Sequence, residues 1–343
     1  MPFVKLALIG FGNVGQALAR LLLRKEVEIK NRYDITFQVN GIATARHGIA
    51  LSEAGIDLNQ ALELVRTGRS FKELSAVHIE DMEQFIRQCK ADVLFENSPV
   101  NYESGQPALH HIRTALEVGM HAITANKGPV VHGYFELTEL AKRQNKKFYF
   151  ESTVMDGAPI FSLYRETLPA ARLLRLRGIL NSTTNLILTR MEAGETFDEA
   201  VRYAQSIGIA ETDPSGDVDG WDAAIKLAAL ASVLMETPLK PQDVERDGIR
   251  GIDSQAIASA RKEGMRWKLV CSAERVGNTV RACVRPEKVT ADSPLYNVSG
   301  TSSVVQFETD VLGKLTIFEE DPSPDTTAYG LLADFLRAVT SAG

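Results

Sequence analysis

The apolar run from Phe3 to Ile9, FVKLALI, leads directly into Gly10-Phe-Gly12-Asn-Val-Gly15, and the helical pattern QALARLLLRK follows. A buried strand, a glycine turn and a helix in that order commit the N-terminal part to a strand-turn-helix unit of a parallel sheet. In that setting G-x-G-x-x-G is a dinucleotide fingerprint. Gly10 permits the tight turn, Gly12 lets the backbone approach a pyrophosphate, and Gly15 lets the helix pack closely on the strand. The phosphates are expected on the N-terminus of the helix, whose N–H groups and dipole favour an anion.

The rest of the chain extends this pattern. Strands at 91–96, 120–124 and 147–151 alternate with helices at 107–119 and 133–145, as expected for a doubly wound parallel sheet. From Glu151 the texture changes, and the short β-rich runs VRACV from Val280, SVVQFET from Ser303 and KLTIF from Lys314 predict a second, mixed α/β lobe. The closing run TTAYGLLADFLRAV from Thr326 is an amphipathic helix. The predicted organisation is a dinucleotide-binding domain over 1–150, a second domain over 151–322, and a helix within 323–343 that returns to the first.

Five carboxylates and one lysine lie in the 23 residues from Ala204 to Lys226, and Lys226 continues into LAALASVLM. A helix from Gly220 that is apolar at nearly every position should be buried all round, which takes Asp222 and Lys226 into the protein. Four residues apart on one face, they must be paired, hydrogen-bonded or used on a ligand. The acids also resemble part of a calcium loop, but Ser215 falls at the first ligand position and Lys226 where the bidentate glutamate belongs. Calcium is therefore not expected.

At the end of the second strand, placed at Phe37–Ala43, no acid is present to hold a ribose hydroxyl. Thr44-Ala-Arg46-His47 offers a cation instead. Arg46 suits the 2′-phosphate of NADP, although on sequence alone it reads equally as a solvated loop residue. A net charge of −6 with scattered basic residues gives no reason to expect nucleic acid or an anionic membrane. Three well-separated cysteines suit reduced thiols in the cytoplasm. No apolar run reaches the about 18 residues needed to span a bilayer, so a soluble protein is expected.

The chain resembles the short-form homoserine dehydrogenases. The family pattern A-x3-G-[hydrophobic]-[small]-x2-D-P-x2-D-x2-G-x-D-x3-K is met by Ala204, Gly208, Ile209, Ala210, Asp213, Pro214, Asp217, Gly220, Asp222 and Lys226. GFGNVG from Gly10, TANKGP from Thr124, ESTV from Glu151 and GILNSTTN from Gly178 support it. The resemblance implies a Rossmann-type first domain and a second domain for substrate binding and dimerisation. It also implies NAD(P)H-dependent, reversible reduction of L-aspartate 4-semialdehyde to L-homoserine, a step of threonine and methionine biosynthesis.

By position, Lys226 and Lys127 become the catalytic pair, with Lys226 as proton donor. Glu211, Asp222, Asp217, Gly208 and Thr183 become the substrate pocket, though Thr183 also reads as a helix cap. Gly10, Gly12, Asn13, Val14, Gly15, Arg46, Ser98 and Lys127 become the cofactor site for NADP, with NAD as the alternative. A monovalent cation, usually sodium in this family, would be held at Glu151, Val154, Asp156 and Ala158. A homodimer is implied as well.

Two departures stand out. Met155-Asp156-Gly157 replaces a more glycine-rich loop, and FEEDPSPDTTA from Phe318 replaces the family's G-x-G-A-G segment. Acids and prolines cannot approach a phosphate through bare backbone as glycines do. The chain stops at Gly343, with no room for the ACT regulatory domain of longer relatives, so feedback through such a domain is not expected. Two other readings remain open from sequence: a dehydrogenase of this scaffold for another amino-acid aldehyde, and a nucleotide sensor that has lost turnover.

Overall fold

A computed structural model describes residues 2–75 and 77–340. The chain forms two units. One runs to Pro159 and resumes at Ser323, and the other is Ile160–Pro322.

The first unit is built on β1 (Phe3–Ile9), β2 (Thr36–Thr44), β3 (Gly48–Leu51), β4 (Val93–Glu96), β5 (His121–Thr124) and β6 (Phe148–Tyr149). Their order is β3-β2-β1-β4-β5-β6, parallel except for the β2–β3 hairpin. This is the doubly wound arrangement with its switch point between β1 and β4. Helices α1 (Asn13–Tyr33), α2 (Leu58–Arg66), α3 (Met82–Gln88), α4 (Ala108–Glu117) and α5 (Lys127–Arg143) connect the strands.

Alternation along β1 explains why the strand reads as continuously apolar. Leu6 and Leu8 join a core containing Leu18, Leu22 and Phe95, while Ala7 and Ile9 join a separate core containing Phe85, Ile86 and Met120. Both faces of the sheet are covered, so neither set can be polar.

Helix α5 begins at Lys127, six residues before the Gly133 start expected from sequence. Gly128 and Pro129 read as breakers, but both fall in the first turn, where backbone N–H groups have no intrahelical partner and a proline sacrifices nothing. The Asn126 side chain accepts from Gly128 N–H at 2.9 Å and fixes that start. Lys127 is therefore the first residue of a capped helix, where the sequence suggested a loop.

The break between units falls at Pro159 rather than at residue 150 because 151–158 is tied to the C-terminal helix Pro324–Thr340. Glu151 N–H donates to Asp334 Oδ2 at 2.7 Å, and the Ser152 hydroxyl donates to the Thr327 carbonyl at 2.7 Å. A side chain at Gly157 would overlap the Thr326 carbonyl oxygen. Asp156 sits at φ 37°, a left-handed position that aspartate tolerates better than most residues. Its carboxylate accepts from the Thr327 hydroxyl at 2.6 Å.

The segment that departs from the family's glycine-rich pattern is rebuilt as a helix cap. Ser323 N–H donates to Thr326 Oγ1 at 2.8 Å, Thr326 N–H returns to Ser323 Oγ at 3.3 Å, and Pro324 opens the helix. That helix buries Ala328, Leu331, Leu332, Phe335 and Ala338 in the same core as β1 and α1.

The second unit contains β7 (Leu173–Ile179), β8 (Glu245–Arg246), β9 (Arg266–Val276), β10 (Thr279–Val289), β11 (Ser303–Thr309) and β12 (Gly313–Glu319). They are ordered β12-β11-β7-β9-β10-β8 and antiparallel except for β8 beside β10. Its helices are α6 (Ser182–Glu192), α7 (Phe197–Ser206), α8 (Ser215–Val218), α9 (Trp221–Leu234) and α10 (Ser254–Lys262). Helix α9 is buried at Asp222–Ile225 and again at Leu227–Ser232. Its five alanines between 223 and 231 keep the contact surface flat enough for β9 and β10 to pack on it. No helix among the described residues is long and apolar enough to cross a membrane.

Phe335 is fully buried and meets Phe37 and Phe95 edge to face, at centroid distances of 6.3 and 6.1 Å. Phe335→Ala should therefore destabilise the first unit by about 3–5 kcal/mol, measured by urea unfolding. A loss no larger than that of a surface substitution would mean the C-terminal helix is not part of this core.

Candidate active site

Four strands of the first unit deliver candidate cofactor residues at their C-terminal ends: Gly10 after β1, Arg46 after β2, Ser98 after β4 and Lys127 after β5. That edge is where open α/β sheets bind ligands. Gly10 lies at φ 85° with its N–H donating to the Ala43 carbonyl at 2.9 Å, and a Cβ there would overlap Asn97 O across the switch point. A Cβ on Gly15 would overlap Gly10 O, so the third glycine packs the helix against the turn itself.

Gly12 differs from both. Nothing lies within 4 Å of where its Cβ would be, no side chain caps α1, and the first turn carries no acid. The N–H groups of Asn13, Val14 and Gly15 thus begin a helix that faces open space without a competing acceptor. A dinucleotide pyrophosphate fits that cradle.

Arg46 is exposed in the tight turn joining β2 and β3. Ser98 donates its hydroxyl to the buried Glu96 carboxylate, and its carbonyl accepts from Asn126 Nδ2 at 2.9 Å. The residue that caps α5 beside Lys127 therefore also fixes the loop carrying Ser98.

In the second unit the acidic stretch folds onto the β7–α6 junction. Lys226 Nζ lies 3.0 Å from Asp222 Oδ2 and donates to the Leu180 carbonyl at 2.7 Å. The Lys226 and Asp222 side chains are 15% and 11% exposed, which excludes a solvated surface pair. Asn181 Nδ2 donates to Asp217 Oδ1 at 2.6 Å and to Asp222 Oδ2 at 2.9 Å. Burial, and then the charge of Asp222, push the Asp217 carboxyl above its usual range, while Asn181 and Lys226 act in the opposite direction.

Thr183 is buried and donates to the Ile209 carbonyl at 3.3 Å, while the cap of α6 is Asn181. Gly208, at φ 74°, ends α7 in the left-handed conformation that favours glycine. Asp217, Asp222, Lys226 and Thr183 are therefore brought together. Glu211 is exposed, with its carbonyl held by Gln205 at 3.1 Å, and its carboxylate is not among the groups hydrogen-bonded to the cluster.

Glu151 is 2% exposed, and its carboxylate lies 3.1 Å from Arg337 Nη2, which also donates to Asp334 at 2.6 Å. Asp334 is pushed up to about 6 by burial, against the pull of Arg337. Val154 is buried, and Asp156 is engaged by Thr327 as described. No group of three or more His, Cys, Asp or Glu side chains arranged for a metal ion occurs among the described residues.

Sequence reasoning missed Asn181, Asp334 and Arg337. Asparagine before Ser-Thr-Thr was a readable cap signal, whereas Arg337 meets Glu151 across 186 residues and leaves no local trace.

A glycine cradle at the switch point of a doubly wound sheet, together with a largely buried lysine–carboxylate cluster in a second unit, defines a dinucleotide-dependent dehydrogenase. Comparison with known proteins agrees. Residues 10–151 match the family model of the homoserine dehydrogenase NAD-binding domain, and residues 159–336 match the homoserine dehydrogenase model. The chain is 34% identical to the NAD(+)-dependent homoserine dehydrogenase of Pseudomonas canavaninivorans, over 100% of this chain and 98% of that protein. It is 37% identical to the homoserine dehydrogenase of Methanocaldococcus jannaschii, over 97% and 98%. Among solved structures, a putative homoserine dehydrogenase from Archaeoglobus fulgidus superposes with a TM-score of 0.87 at 30% identity, covering 99% of this chain and 100% of that one. A hyperthermophilic archaeal homoserine dehydrogenase in complex with NADPH gives 0.83 at 30%, covering 98% of each. The chain belongs to the homoserine dehydrogenase family, whose members are NAD(P)-dependent oxidoreductases.

Gly12→Ala separates cradle from scaffold. It meets no protein atom within 4 Å, so its melting temperature should stay near that of the parent while dinucleotide affinity, read by fluorescence titration, falls at least about tenfold through loss of close backbone approach. Undiminished affinity would place the phosphates elsewhere.

Proposed function

We propose that this chain reduces the aldehyde of L-aspartate 4-semialdehyde reversibly to the alcohol of L-homoserine, with Lys226 as the proton donor. The observation that carries this reading is the Lys226–Asp222 pair, held at 3.0 Å on a helix buried nearly all round. Bound reduced nicotinamide supplies the hydride. Lys226 then passes a proton from Nζ to the developing alkoxide, and Asp222 and the Leu180 carbonyl orient that ammonium. Lys127, at the start of α5, is the second catalytic lysine and lies at the cofactor end of the sheet. Asp217 and Asp222 offer carboxylate oxygens to the substrate ammonium, with Thr183 and the backbone at Gly208 shaping the pocket. Glu211 joins them as a substrate ligand on the exposed rim.

Arg46 supports NADP as the preferred cofactor, since a guanidinium at the end of β2 can pair with a 2′-phosphate. Asn13, Val14 and the three glycines hold the pyrophosphate, and Ser98 supports the nicotinamide half. A monovalent cation, sodium by family expectation, is assigned to the Glu151 carboxylate and the backbone carbonyls of Val154, Asp156 and Ala158, with Arg337 sharing the carboxylate. The assembly is a homodimer working in the cytoplasm.

Lys226→Ala should lower turnover by a factor of order 10²–10⁴, the usual range for a general acid, with dinucleotide affinity little changed. Parent-like turnover would remove Lys226 from the chemistry. Arg46→Ala should weaken NADP binding selectively, and an equal loss with NAD would contradict the 2′-phosphate assignment. The test of the whole reading is reduced-nicotinamide absorbance with L-homoserine against a panel of other amino alcohols. Faster reduction with another alcohol would change the substrate assignment.

A further inference from the structure

Asn181 has no assigned role, yet its side chain touches both carboxylates of the cluster, the buried Asp222 and the half-buried Asp217. Its position is forced by the helix it caps. Asn181 Oδ1 accepts from Thr184 N–H at 2.7 Å and from the Thr184 hydroxyl at 2.8 Å. An amide whose oxygen is committed to the first turn of α6 must turn its NH₂ the other way. There the two N–H groups are divided, one to Asp217 Oδ1 at 2.6 Å and one to Asp222 Oδ2 at 2.9 Å. One residue earlier, the Leu180 carbonyl takes the Lys226 ammonium at 2.7 Å. Two consecutive residues at the end of β7 thus hold three charged groups that arrive from α8 and α9.

We propose that Asn181 is a positioning residue for the reduction: its amide keeps the Asp217 and Asp222 carboxylates separate and acceptor-only, and so sets the direction in which Lys226 presents its proton. This rests on the reading of Lys226 as the proton donor.

The physical need is clear from the neighbours. Two buried carboxylates close together tend to share a proton, because each disfavours the charge on the other. Asp217 already shows that tendency, through burial and Asp222. The Lys226 ammonium, 3.0 Å from Asp222, relieves part of it, and the remaining groups facing the cluster add little. Asp219 is paired with Arg250. The Cys271 thiol on β9 is pushed up to about 12 by burial and stays neutral, and Cys283 on β10 interacts with that thiol. The single Thr183 hydroxyl is shared between the Ile209 carbonyl and Asp217, where its effect is the smallest. Two N–H donors from a single fixed amide oppose that tendency at both carboxylates, alongside the Lys226 ammonium.

Serine and aspartate cap helices about as well as asparagine, so Asn181→Ser and Asn181→Asp preserve the start of α6 while removing both amide N–H donors, serine keeping only one O–H on a shorter side chain. Asn181→Asp also adds a third negative charge. Expected for Asn181→Ser is a fall in kcat for homoserine oxidation of about tenfold or more, with KM for the dinucleotide and the melting temperature near those of the parent. Asn181→Asp should fall further, and its kcat–pH profile should move to higher pH, since an added anion raises the pKa of every neighbour. Independently of activity, ¹³C titration of the Asp217 carboxyl in the ligand-free protein should show its pKa rising in both variants.

Parent-like kcat together with an unmoved Asp217 titration in both variants overturns the proposal. So does a loss of kcat that tracks loss of melting temperature while the pH profile stays in place, since a cap alone would produce that. If the parent protein oxidises no homoserine with either dinucleotide, the substrate reading fails, and the Asp217 titration still decides the role of Asn181 in the cluster.

Discussion

A charge taken out of water must be met by another charge or by hydrogen bonds, and helix α9 places that demand at the centre of the second unit. Its alanine- and leucine-rich surface is closed around Asp222 and nearly around Lys226. Leaving either partner alone there would cost about 3–5 kcal/mol. The ion pair, the Leu180 carbonyl and the Asn181 amide satisfy that demand together, and each tightens the geometry of the others. The end of β7, the cap of α6, the short turn of α8 and the first turn of α9 are all located by one polar knot. A cluster whose members are mutually specified in this way is pre-organised for chemistry, because no side chain has to search for its position when a substrate arrives.

The first unit solves a different problem with backbone alone. Its glycines do three distinct things: Gly10 turns through a left-handed conformation against the strand across the switch point, Gly15 allows the helix to touch the turn, and Gly12 leaves room for something that is not protein. Only the last is about a ligand. The other two make the turn stiff enough for the open space at Gly12 to keep its shape.

Much of this was legible in the sequence because it is encoded locally. The strand at Phe3–Ile9 was read with its observed limits, and the buried helix after Gly220 follows from an apolar pattern with no polar face. The helix start at Lys127 was hidden because Gly128 and Pro129 argue against helix everywhere except in a first turn, and only the Asn126 cap reveals that they lie in one. Glu151 drew attention for its local motif, but Asp334 and Arg337, which hold it, come from the C-terminal helix, and no periodicity connects positions so far apart. Asn181 was overlooked for the opposite reason: it lay inside a recognised motif, and a cap residue does not announce that its second hydrogen-bonding end is in use. Local pattern thus gave the elements and most of the cluster, whereas the ties between distant segments needed coordinates.

The first unit is discontinuous in the chain: it stops at Pro159 and is completed only when the chain returns at Ser323. Its core lacks Leu331, Leu332 and Phe335 until that return. During synthesis, at about 5–20 residues per second, the nascent dinucleotide-binding half must therefore wait with an open apolar face while the whole second unit leaves the ribosome. Closure of the dinucleotide-binding half is thus a long-range event, made by a helix that follows the whole of the other unit in the chain.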